Sequence, residues 1–111
     1  VDEYFGRVKR PAGAIPRVTV KEPPRAGART VEVYGPNVPL PAVAVSYPGP
    51  AANDPDAAAM DVLDAILSSG ESSRLYRSLV YEQQVATQAG VDNTQNTQAG
   101  YFAPLAVAAG G

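Results

Sequence analysis

Histidine and cysteine are both absent from the 111 residues. Without cysteine there is no disulfide, no thiol nucleophile and no cysteine-ligated metal. Without histidine, the commonest metal ligand and the usual general base at neutral pH are missing together. A Ser–His–Asp triad is excluded, and a Ser–Lys pair would have to use Lys9 or Lys21, both in a proline-rich stretch. No run of apolar residues is long enough to cross a bilayer as a helix. No charged start followed by an apolar stretch occurs, so no secretion signal is expected within these residues. Nine Lys and Arg against eleven Asp and Glu leave a net charge of −2, which excludes a strongly basic nucleic-acid binder. Carboxylates, Arg, Lys, Tyr and Ser are left for chemistry, and a complete enzyme is not expected from them alone.

What is present is unevenly spread. Residues 1–30 hold seven basic and three acidic side chains, whereas residues 31–111 hold only Arg74 and Arg77 against eight acids. Nine of the eleven prolines fall within the first 50 residues. Such asymmetry points to two regions with different tasks. At 45% hydrophobic residues the chain can still build one modest core.

Val1, Tyr4 and Phe5 lie at helical spacing before Gly6, which reads as the close of a helix that belongs to something earlier. Residues 9–29 carry Pro11, Pro16, Pro23 and Pro24, so an extended linker is expected, with a brief strand at Val18 and Val20 left open. Residues 29–35 alternate β-branched and aromatic with polar residues and predict a strand. A second strand is predicted over 38–47, its first half kept off the ladder by Pro39 and Pro41 and its end set by Pro48, Gly49 and Pro50. Asn53 or Asp54 then caps a helix with Pro55 at its first position. Its apolar face is Met60, Leu63 and Leu67 with Ala59, Val62 and Ile66 beside them, and Gly70 is its stop. A second helix runs from Ser72 or Ser73 to about Gln84 and buries Leu75, Leu79 and Val80. Residues 85–93 and 99–108 predict two further strands joined through 94–98. The order implies an α+β domain, a mainly antiparallel sheet with helices packed on one face.

Few residues could carry chemistry. Asp54, Asp56, Asp61 and Asp64 lack calcium-loop spacing and read as a solvated helix face and cap. The stretch Ser68 to Ser73 lacks the Gly-Lys-Ser/Thr ending of a phosphate loop and reads as a helix–helix turn. The informative pair is Arg74 and Tyr81. Seven α-helical steps of roughly 100° come within about 20° of two full turns and rise roughly 10 Å. Both side chains would then leave one face, the guanidinium offering donors to peptide carbonyls and the phenol to a developing oxyanion. On spacing alone, an amphipathic helix with a snorkelling Arg and a half-buried Tyr is the simpler account.

Residues 64–88, with Gly-Glu-Ser-Ser-Arg-Leu-Tyr-Arg-Ser-Leu-Val-Tyr-Glu at their centre, resemble the non-zinc domain of insulinase/pitrilysin-type zinc peptidases, in the branch similar to mitochondrial processing peptidase. Tyr4-Phe5-Gly6 and Glu22-Pro23-Pro24 support the resemblance. It implies a partial, truncated zinc-peptidase-type α+β domain. Residues 1–29 would be the end of a preceding domain and a Pro-rich interdomain linker, and residues 30–111 the first part of the C-terminal, non-zinc domain. It also implies that Arg74 and Tyr81 bind a peptide substrate and stabilise the oxyanion of a zinc metalloendopeptidase.

The family's inverted zinc motif, His-x-x-Glu-His, cannot occur here. These residues should therefore hold no metal and be inactive alone, with zinc supplied by an N-terminal domain or a partner subunit. A non-catalytic assembly or peptide-capture subunit of the same fold is the alternative. The truncated sheet leaves self-association open, and the resemblance leans to the bacterial periplasm without fixing it.

Overall fold

A computed structural model describes residues 2–9, 12–17, 19 and 23–110. They form two compact units, Val1–Val33 and Tyr34–Gly111. In the first, helix α1 covers Asp2–Phe5. The Gly6 amide donates to the Asp2 carbonyl at 2.9 Å and the helix goes no further, in line with the expected stop. Val1, Val18, Val20 and Glu22, used in the sequence reading, lie outside the described residues. No strand forms among the described residues of 9–29.

The strand predicted over 29–35 is not formed, and Val31, Val33 and Tyr34 are exposed. β-branched alternation suits a pleated surface but supplies no ladder partner, and a strand without one has no stability of its own.

The second unit is built on an antiparallel sheet. Strands β1 (Ala42–Ala44), β2 (Tyr47–Gly49), β3 (Ala86–Gln95) and β4 (Gly100–Ala108) meet with β4 at the centre. β3 flanks β4 on one side, and β1 and β2 lie end to end on the other in one unbroken register, from Ala42 opposite Val107 to Gly49 opposite Gly100. Pro39 and Pro41 do keep the preceding residues off the ladder.

The gap between β1 and β2 has a local cause. Val45 lies opposite Pro104 and donates its amide to the Pro104 carbonyl at 2.9 Å. An antiparallel hydrogen-bonded pair exchanges two such bonds, and proline has no N–H to return. The ladder therefore lapses at Val45 and Ser46 and resumes at Tyr47, so the predicted single strand becomes two and continues through Pro48 to Gly49.

Helix α2 spans Ala57–Ser68 and starts later than the sequence suggested. Asp54 accepts the Asp56 amide through its side chain at 3.0 Å and the Ala57 amide through its carbonyl at 3.0 Å. That turn, with Pro55 inside it, delays the first helical residue. Gly70 ends the segment with φ of +77°, a conformation that favours glycine.

Side-chain alternation puts Asn93 of β3, Phe102, Pro104 and Ala106 of β4, and Val43 of β1 on one sheet face. Both helical segments pack there. α2 meets β3 with Ala57, Asp61 and Ser68, which lie on one helical stripe that the apolar pattern did not single out. Met60 and Leu67 are half-buried, while Val62, Leu63 and Ile66 are exposed. The reason is chemical. Asn93 donates to Asp61 Oδ1 at 2.9 Å, and Gln95 donates to Asp61 Oδ1 at 2.9 Å and to the Ala57 carbonyl at 3.0 Å. The half-buried amides of β3 find acceptors on this side of the helix. Asp61 stays exposed, as a solvated helix face implies, and in addition ties α2 to β3. Asp64 accepts the Ser68 hydroxyl. On the other sheet face Asp92 accepts from Tyr101 at 2.7 Å and Thr94 at 3.0 Å.

Candidate functional site

The turn after α2 delivers the chain to the second helical segment. Ser73 is 4% exposed, its amide donates to the Gly70 carbonyl at 3.1 Å, and its hydroxyl has no hydrogen-bond partner among the described residues. Arg74 and Leu75 are α-helical, and Tyr76–Glu82 then form a π-helix. Leu75 and Leu79 face Val43, Pro104, Leu105 and Ala106 across a shallow apolar recess. Leu75, Leu79 and Val80 are half-buried, as their spacing suggested, and Tyr76 joins them.

The helix exists where the sequence places it, but its winding is not the α-helical one. The Gln83 amide bonds to the Ser78 carbonyl, five residues back, at 3.0 Å, and the Val85 amide to the Leu79 carbonyl at 3.0 Å. A ladder of i→i+5 bonds has a wider turn than one of i→i+4 bonds, so each residue turns through less than the α-helical angle. Seven steps through it fall short of two full turns. Tyr81 is therefore displaced around the axis from the direction of Arg74, and the strict vertical stacking expected from α geometry does not apply.

Both side chains are accessible. Arg74 is exposed and Tyr81 is 76% exposed. Neither makes a hydrogen bond or ion pair with another described residue. Arg77, the other cation of this unit, pairs with Glu82 at 2.8 Å. Arg74 is thus the guanidinium left available to a ligand. The Arg77–Glu82 pair escaped the sequence reading because residues five apart do not meet on an α-helix; their opposite charge was the only signal.

Zinc does not fit this chain. There is no histidine or cysteine, and no group of three or more acidic side chains converges among the described residues. Nor is any described helix long and apolar enough to cross a membrane.

A model of the family described as "Peptidase M16 inactive domain" matches residues 1–108. The chain belongs to the peptidase M16 family. It is 42% identical over 82 residues to "Zinc protease PqqE" of Helicobacter pylori, an alignment covering 74% of this chain and 18% of that protein. A solved structure described as "The crystal structure of a protease from Helicobacter pylori" superposes with a TM-score of 0.91 at 35% identity, over 97% of this chain and 26% of the other. The chain thus spans a fifth to a quarter of the relatives it matches. The M16 membership agrees with the antiparallel α+β architecture and with a stretch of a metallopeptidase-family protein that lacks the zinc motif.

Proposed function

We propose that this chain is the substrate-facing, non-zinc part of a zinc-dependent peptidase, and that Arg74 and Tyr81 are the groups it presents to the peptide. The observation that carries the reading is their availability. In a unit whose other cation is paired, one guanidinium and one phenol stand exposed on a helix held against the sheet by Leu75 and Leu79. The similarity to a zinc protease supplies the reaction class.

In this reading the Arg74 guanidinium donates to backbone carbonyls of an extended peptide and fixes its register. The Tyr81 hydroxyl donates to the scissile carbonyl oxygen as negative charge gathers on it, a contact worth more in the transition state than in the bound substrate. The metal belongs to residues outside this stretch, and no step of the chain's own contribution depends on its geometry.

The test is Tyr81→Phe in the full-length protein, assayed with an internally quenched peptide of mixed sequence. Loss of one oxyanion donor is expected to lower kcat by about 10²–10³-fold with little change in KM. Turnover equal to wild type would remove Tyr81 from the reaction.

A further inference from the structure

The π-helix carries two side-chain pairs at a spacing the α-helix cannot use. Arg77 Nε donates to Glu82 Oε1 at 2.8 Å, and Gln83 Nε2 donates to Ser78 Oγ at 2.8 Å. Each joins residues five apart. On an α-helix such residues are separated by roughly 140° around the axis, and it is residues three or four apart that meet. On a π-helix the i and i+5 positions lie one turn apart and become neighbours. Two consecutive pairs, 77 with 82 and 78 with 83, therefore favour the i→i+5 ladder over the i→i+4 one. Both span Tyr81.

We propose that Arg77, Glu82, Ser78 and Gln83 are positioning residues whose five-residue clasps hold the π register and so set the direction in which Tyr81 leaves the helix. The proposal rests on the role given to Tyr81 above, but the register lock stands apart from it. The two registers differ by one residue per turn. A slip to α winding moves the amide at position 83 from the Ser78 carbonyl to that of Leu79 and rotates Tyr81 about the helix axis. The four side chains need not touch substrate for this. They act on the fraction of molecules in which Tyr81 is correctly aimed, which scales kcat and leaves KM in place.

The experiment uses the full-length protein and the same quenched peptide. Glu82→Ala with Gln83→Ala removes both clasps at exposed positions where folding is not at stake. A crystal structure of this double variant is expected to show the position-83 amide bonded to the Leu79 carbonyl. Its kcat is expected to fall by about fivefold, the factor for an exposed pair at the top of its usual range, with KM unchanged. The reversed pair, Arg77→Glu with Glu82→Arg, is expected to keep the Ser78 bond and recover kcat, which loss of a substrate contact by Arg77 would not permit. A double variant that retains the Ser78 bond overturns the lock. A shifted bond with full kcat overturns the positioning role. If Tyr81→Phe is silent while the bond still shifts, the peptidase role of Tyr81 falls and the lock stands.

Discussion

The two helical segments of the sheet-bearing unit rest on the same sheet face by different means. α2 is a regular helix tied to its strand, with Asp61 and the Ala57 carbonyl accepting from Asn93 and Gln95. The π-helix is bonded mostly to itself. It rests on the sheet through Leu75 and Leu79, and its polar side chains clasp one another at Arg77–Glu82 and Ser78–Gln83. The side chains that could bind a ligand belong to the second segment, whereas α2 spends its carboxylate on the sheet. A helix anchored by polar bonds to its strand has little left to offer a substrate. One held by an apolar underside can leave its outer face free.

The largest effect should come from the floor beneath α2. Phe102 is 6% exposed and lies on the helix-covered face, opposite Asn93. Phe102→Ala is expected to cost about 3 kcal/mol, the transfer term plus the cavity it leaves. The urea midpoint of the full-length protein measures it. A loss below about 1 kcal/mol would mean that the face under α2 is not a packed core. The second effect concerns the polar tie itself. Asp61→Ala leaves the Asn93 and Gln95 amides without their acceptor, but Asp61 is exposed and water can replace it, so about 1 kcal/mol is expected. A loss as large as that of Phe102→Ala would reverse the order of apolar floor and polar tie.

The same contrast explains which parts of the molecule could be read from the amino acids. The β3–β4 hairpin, the stop at Gly70 and the half-buried Leu75–Leu79 stripe follow from local pattern, because alternation, left-handed glycine and helical spacing act within a few residues. The strand expected over 29–35 failed because a strand is a relation to a partner. The break at Val45 depended on Pro104, a residue 59 positions away that removes one ladder bond. The facing side of α2 depended on amides from β3, which bond the still exposed Asp61 and leave Val62 and Ile66 outside. At the candidate site, Arg74 and Tyr81 were visible as residues, but their α-helical alignment was not realised. The two windings differ by a single residue per turn, and the side-chain pairs that select between them sit at a spacing that α-helical reasoning passes over.

The smallest effect lies where the π-helix ends. Gln84 has φ of +55°, the one positive value at a non-glycine position among the described residues. The chain turns there, and the Val85 amide just beyond it reaches back to the Leu79 carbonyl. A side chain in the left-handed region costs about 1–2 kcal/mol, and glycine avoids this at the cost of a more flexible unfolded chain. Gln84→Gly should therefore raise stability by about 0.5–1 kcal/mol, seen as a higher urea midpoint with the slope unchanged. Gln84→Ala separates backbone from side chain, because alanine keeps the strain. It should leave the midpoint where it is. If alanine stabilised as much as glycine, the gain would come from removing the glutamine side chain, and the π-helix would end without the backbone strain that sets it apart from α2, whose exit is a glycine.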